Sequence, residues 1–451
     1  MLATVFRRVI RVRFTRCEVQ EIGAGWRPKG CHPGLHIPGQ LAVVSFANMW
    51  TPRQLVALPV FAMALIVSAC DRTVAIPDDA PSLLLALAVL DTEDGAPRPL
   101  PARLGILTQT ADGWDHRFIE DSESNVFHKA LSYGAAGEVT GVLTLGGTEA
   151  VVKLWARDGS AQSLWEADFG GAFSRMRDAE IGDIYGDGNP AIAVATHDQG
   201  VVAVIRSDGG EGFTVHELDR EPDTVVHEIE LGDLDGDGVV EIYATPTAPN
   251  QVDGTPQPGK VVRYVPETGE SRVVVADLGL RHAKEILVDD LDGDGFDELY
   301  VSVEAVSGGK VEIRRYLAGT DPVAGEIVAT LDDRLCRFLT VGDVDGDGVK
   351  EMVAATMRSG LWLLRPGEGK WSTELIDDDS SGFEHASILL DLDGDGRTEL
   401  YVASDDQHQV RRYMYDGTEW DRDVIWEYDD GLGRFTWNIT LAPAGMLPAG
   451  S

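Results

Sequence analysis

The residues most able to do chemistry sit in DLDGDGVVEI, Asp233 to Ile242, where carboxylates stand at alternate positions: Asp233, Asp235 and Asp237. Gly236 and Gly238 let the chain turn tightly enough to wrap three hard oxygens around one point. The backbone carbonyl of Val239 and the carboxylate of Glu241 complete a five-membered protein set. With water, that set fills the six to eight oxygen positions Ca²⁺ takes. Mg²⁺, which demands a stricter octahedron, fits less well.

The stretch recurs in DLDGDGFDEL (Asp290, Asp292, Asp294, Phe296, Glu298), DVDGDGVKEM (Asp343, Asp345, Asp347, Val349, Glu351) and DLDGDGRTEL (Asp391, Asp393, Asp395, Arg397, Glu399). A fifth copy, DIYGDGNPAI, keeps Asp183 and Asp187 but has Tyr185 and Ala191 at ligand positions, and is read as a degraded site. About four calcium ions are therefore expected. An EF-hand would need a glutamate at the twelfth position and flanking helices, whereas each loop here runs into an apolar strand such as EIYAT or ELYVAS.

A second set of candidates lies six residues before each first aspartate: Arg177, His227, Lys284, Arg337 and His385, with His128 and Thr436 in the matching places of two metal-free copies. Cationic or imidazole groups in register, in so acidic a chain, form a candidate ligand ring at the mouth of a central channel. Such a ring could take an anion, an acidic sugar or, through histidine, a transition metal. It could equally balance neighbouring acids such as Asp178, Glu228 and Glu285.

The elements that must position these groups are short strands. The first aspartates are 50, 57, 53 and 48 residues apart, a period that signals a repeat architecture. Each unit reads as four strands, for example HEIELGD, EIYATPT, KVVRYV and SRVVVADL, with the metal loop between the first two. Four strands in about 50 residues make a propeller blade.

HKALSYGAAGEVTGVLTLGG, 128–147, aligns with the copy around Asp183 as a blade without metal ligands. RFTWNITLA, 434–442, supplies a lone first strand, and LLLALAVL (83–90), ARLGILTQ (102–109) and DHRFIED (115–121) supply the three strands it lacks. The expectation is an all-β chain folded as a seven-bladed β-propeller of four-stranded antiparallel blades. The blades fall near 123–170, 171–222, 223–278, 279–332, 333–378 and 379–429, and the last joins 430–442 to 83–121. Pairing the C-terminal strand with the N-terminal strands closes the ring and hides an edge that a linear solenoid would leave open.

The repeated D-x-D-G-D-G-x-x-E followed by an apolar strand resembles the FG-GAP/VCBS-type repeats of the integrin α-subunit propeller and of many bacterial extracellular proteins. The resemblance covers 83–442. It implies a seven-bladed propeller with calcium between the first and second strands of a blade.

Residues 1–48, with five arginines in the first sixteen positions and then a Gly/Pro-rich run, do not resemble the rest and are expected to be a disordered upstream extension. Residues 49–69 have the layout of a secretory signal, ending in Val67-Ser68-Ala69-Cys70. That ending resembles the lipobox of bacterial lipoproteins, which implies acylation of Cys70, a tether over 70–82 and a place in the cell envelope. Cys336 would then be the one thiol of the mature propeller, and 443–451 a tail.

The full chain carries 38 Lys/Arg against 75 Asp/Glu. Removing 1–69, with eight basic and two acidic residues, leaves 30 against 73, a net charge of -43. Such a chain repels nucleic acid and anionic lipid, so membrane contact is expected through the lipid anchor alone. No G-x-S-x-G, H-E-x-x-H or phosphate loop is present. The expected function is a calcium-binding envelope scaffold for a protein or glycan ligand. The alternative is a polysaccharide lyase or hydrolase working through the ring.

Overall fold

The computed structural model describes residues 19–20, 27–28 and 80–445, apart from 93–96, 136–137, 171–173, 198, 211, 250–254, 368 and 395. The expected signal segment, Cys70, most of the tether and tail, and the metal-loop residue Asp395 lie outside the described residues. Residues 1–75 form one compact unit, in which Val19–Gln20 pairs with Arg27–Pro28, and 76–451 form another. The second unit carries everything below.

It is all-β, with a single 3₁₀ turn at Asp405–Gln407 as the one helical element among the described residues. Four meanders each make a four-stranded antiparallel sheet. Their first strands are Val225–Gly232, Ala283–Asp289, Cys336–Gly342 and Ser387–Leu390. Two further meanders, starting at Val126–Ala135 and Ser174–Gly182, are joined into one eight-stranded sheet by the pairs Ser174↔Thr148 and Arg175↔Gly147. In the remaining sheet Gly433–Ala442 pairs with Ser82–Asp91, which is followed by Ala102–Thr110 and Gly113–Asp121. Arg98–Pro99 adds a short fifth strand against Leu90 and Asp91.

Burial is greatest at the second strands and falls toward the fourth. The second strands Ala191–Thr196, Glu241–Thr247, Glu298–Val303, Glu351–Thr356 and Glu399–Ser404 are buried at every residue, because neighbouring sheets cover both of their faces. One such layer joins Val202, Val204, Ile242, Ala244, Val262 and Tyr264 from successive meanders. Fourth strands such as Phe213–Arg220 and Ser372–Asp377 are mostly exposed and form the outer rim. The first strands lie against one another in chain order, and the last of them, Gly433–Ala442, returns to Val126–Ala135. This is a β-propeller arrangement.

Five first strands carry a β-bulge at the ring position, which leaves His128, Arg177, Lys284 and Arg337, and both His227 and Glu228, outside the regular ladder. In Gly433–Ala442 the extra residue is Trp437, one place beyond the expected Thr436. A bulge re-aims a side chain, and here it turns these groups inward. Ser387–Leu390 is shorter and starts only after His385.

Candidate functional site

Each metal loop joins a first strand to a second. In three of them the aspartates converge: one carboxylate oxygen each from Asp233, Asp235 and Asp237 lie within 4.8 Å of one another, as do those of Asp290, Asp292, Asp294 and of Asp343, Asp345, Asp347. Oxygens sharing one Ca²⁺ at about 2.4 Å can be no further apart than about 4.8 Å. The triads fit such an ion.

The backbone sets this up. Asp233 accepts hydrogen bonds from the amides of Asp237 (3.1 Å) and Gly238 (2.8 Å), and Asp237 from that of Val239 (2.8 Å). Gly236 and Gly238 sit at φ +68° and +85°, where a Cβ is strained. The amides of Gly295, Gly348 and Gly396 donate likewise to Asp290, Asp343 and Asp391, at 3.0, 2.8 and 2.9 Å. The fourth loop therefore keeps the Asp391–Gly396 bond of this turn.

The ninth-position glutamates are not part of the triads. Glu298 Oε2 accepts the Leu291 amide and the Tyr300 hydroxyl, both at 3.1 Å, and Glu241 is held likewise by Leu234 and Tyr243. Burial, and then the Asp292 carboxylate beside it, push Glu298 up to about 7. The second oxygen of Glu241 faces Arg263 Nη1 at 2.6 Å, and Arg263 lines an open cavity of about 380 Å³ with Asp235, Asp237 and Glu270.

Third-strand arginines were missed in the sequence. Arg263, Arg315 and Arg365 reach Glu241, Glu298 and Glu351 at 2.6, 3.7 and 3.8 Å. They stand 22, 17 and 14 residues beyond those glutamates, so no fixed spacing betrays them. In the degraded loop Arg206 pairs with Asp187 and stacks 4.8 Å from the Tyr185 ring. Asp183 still accepts the Asp187 and Gly188 amides at 2.9 Å, so the turn survives with an arginine beside it.

The ring positions meet a different environment from the expected channel mouth: His128, Arg177, His227, Lys284, Arg337 and His385 are all buried. The first five join one cluster, together with acids and aromatics that the sequence did not single out. Arg337 Nη1 donates to Glu384 at 2.5 Å, Arg177 lies 3.8 Å from the other Glu384 oxygen, and His128 is 3.4 Å from Arg177. His282 Nε2 bonds Glu304 at 3.0 Å, and Arg337 Nε is 3.7 Å from Glu304. Arg177 stacks over Trp437 at 5.3 Å and Arg337 over Phe383 at 4.2 Å.

Burial holds His128 and His227 well below the usual imidazole range, with Arg177 adding to it. Burial, then Arg337, bring Lys284 down to about 7. Several buried polar atoms in the cluster have no hydrogen-bond partner: both His227 nitrogens, His128 Nε2, His282 Nδ1, Arg337 Nε and Nη2, Trp437 Nε1 and the acceptor Glu304 Oε1.

One and three residues further along the strands is an acid layer. Asp178 and Glu180 bond Lys129 at 2.9 and 2.5 Å, and burial raises Glu228, Glu230 and Glu285. Asp178 and Glu285 also accept the Ile229 and Leu339 amides of the next first strand, at 2.9 and 2.8 Å. These acids tie neighbouring meanders together. His385 stands apart, its Nδ1 on the Thr356 carbonyl at 2.6 Å and Nε2 on Ser380 Oγ at 2.8 Å. Thr436 instead holds Asp405 through its amide and hydroxyl, at 2.7 and 2.9 Å.

Fold and inner strands define a β-propeller protein. Solved structures similar to it include a periplasmic gluconolactonase of Pseudomonas aeruginosa (13% identity, 78% of this chain and 98% of that one, TM-score 0.45). A second is described as a putative 6-phosphogluconolactonase of Bacteroides uniformis (12%, 80% and 99%, 0.47), and a third is a protein from Lactobacillus plantarum (10%, 81% and 99%, 0.49). No family model and no curated protein matches the sequence.

Proposed function

We propose that the protein is a calcium-stabilised β-propeller of the FG-GAP/VCBS type, exported and lipid-anchored at Cys70 in a bacterial cell envelope, serving as a binding scaffold for a protein or glycan ligand. Counting each four-strand meander as a blade gives seven, the eight-stranded sheet being two and the sheet holding the C-terminal strand one. The carrying observation is the repeated convergence of three aspartates on one point within a shared turn. Calcium bound there would supply the charge that keeps three carboxylates together.

Both acids of the buried cluster are engaged by Arg337, Arg177 and His282. That favours binding over acid–base turnover.

Protein stripped with chelator and titrated with calcium in a calorimeter should take up about four ions, and Asp345→Ala about three, with a lower melting temperature. A stoichiometry of one or none would overturn the reading. Mass spectrometry of protein from its native host should find lipid on Cys70, and an unmodified residue there removes the anchor from the proposal.

A further inference from the structure

The geometry points to the buried cluster at the bulged positions as a binding site for a small hydroxylated monocarboxylate, its acid group held by Arg177, Arg337 and Lys284 and its hydroxyl by His227. The inference deepens the scaffold reading by assigning it a ligand class, and rests on that reading only for the role of the ligand.

Charge balance is the first argument. The cluster sets the cations Arg177, Arg337 and Lys284 against the carboxylates Glu304 and Glu384, while His128 and His227 are held neutral. With Lys284 protonated one positive charge is left over in a buried place, where an uncompensated ion is costly. A monoanion balances it. The acids Asp178, Glu228 and Glu285 each lie one residue further along their strands than Arg177, His227 and Lys284, so the ligand's place is on the cation side.

Hydrogen bonding is the second. Buried polar groups without partners are rare, and among the described residues this cluster holds several of them, all nitrogens apart from Glu304 Oε1. Arg337 spends Nη1 on Glu384, faces Glu304 with Nε at 3.7 Å and leaves Nη2 without a hydrogen bond. A guanidinium N–H not spent inside the cluster donates a charge-assisted bond to a carboxylate. The aromatic faces help: Phe383 under Arg337 and Trp437 under Arg177 fix the planes of the two guanidinium groups.

His227 adds the hydroxyl. A neutral imidazole offers one donor and one acceptor, and both of its nitrogens are without a partner. An alcohol group, which donates and accepts, matches that pair. A bare carboxylate does not.

Lys284 supplies an independent signature. Its neighbours are Arg337, Arg177, Glu304, Glu384 and His227, and it is brought down to about 7. A bound anion stabilises the ammonium form, so at pH 8 binding takes up a proton.

The test uses the calcium-loaded full chain and isothermal titration with glycolate, acetate and inorganic phosphate. Glycolate should bind one-to-one, acetate about tenfold more weakly, since one hydrogen-bonded group of the site is left unpaired. His227→Leu should bring glycolate down to the level of acetate and leave acetate unchanged, a split that a general packing defect does not produce. Buffers of different ionisation enthalpy at pH 8 should reveal the proton, and Lys284→Met should abolish it. The inference is overturned if glycolate does not bind, if phosphate binds in its place, or if wild type and His227→Leu treat glycolate alike. Calcium counted in the same samples separates this outcome from a failure of the scaffold reading.

Discussion

His385 and His227 hold the same place in the repeat and live in different surroundings. The first is buried with both nitrogens bonded and with a left-handed backbone, φ +60°. Burial brings it down to about 4. A group whose folded value is depressed contributes stability that is present above its unfolded value and lost as pH falls through the folded one. The window is therefore about pH 6.5 to 4, and the loss about 3 kcal/mol. Asparagine tolerates the left-handed conformation, so His385→Asn should keep the turn and cost about 1 to 2 kcal/mol at pH 7. Urea unfolding at pH 7 and pH 4.5 reads the difference: wild type should lose more stability than the variant on acidification, although His128 and His227 leave both with some slope. Equal losses would show that His385 does not carry the effect.

Among the elements, Gly433–Ala442 has the most distant partner in the chain. It pairs along Ser82–Asp91 and covers Leu83, Leu85 and Leu87, all fully buried. Deleting 433–451 should leave a long apolar edge, with loss of cooperative unfolding and self-association in sedimentation velocity. A synthetic peptide of 430–445 added in trans should restore the single transition. Cooperative unfolding of the truncated chain without it would show the closure to be dispensable.

Much of this was legible beforehand, because turn residues and alternation act locally. Strands expected at 83–90, 102–109 and 115–121 are Ser82–Asp91, Ala102–Thr110 and Gly113–Asp121. The aspartate triads were legible for the same reason, since a nine-residue turn contains its own geometry. The ring was read only in register. Its depth depends on bulges that neighbouring strands impose, and its acids come from elsewhere: Glu304 follows the second strand Glu298–Val303, and Glu384 precedes Ser387–Leu390. Trp437 took the place expected of Thr436 because that bulge falls one residue later.

For the whole molecule the dominant quantity is charge. The sequence carries -37, and three of the candidate metal loops each gather three carboxylates onto one side of a turn. Four calcium ions would offset eight of those charges. Binding only the folded chain, each ion would stabilise it by about 2.7 kcal/mol when free calcium is a hundredfold above the dissociation constant. Chelation should therefore lower the melting temperature through two effects: lost binding energy and added self-repulsion. Salt separates them, because repulsion between loops further apart than the Debye length, about 10 Å at 0.1 M, is screened while the binding term is not restored. In a scanning experiment with chelator, raising sodium chloride should recover part of the lost melting temperature and then level off below the calcium-loaded value. Arg206 beside Asp187 gives the internal control, since Arg206→Gln acts on a loop without the full ligand set and on a half-exposed pair worth at most about 1 kcal/mol. It should lower the melting temperature slightly and equally with and without calcium. A calcium-dependent effect of that substitution would mean that the degraded loop binds metal and that its arginine is not the substitute for an ion.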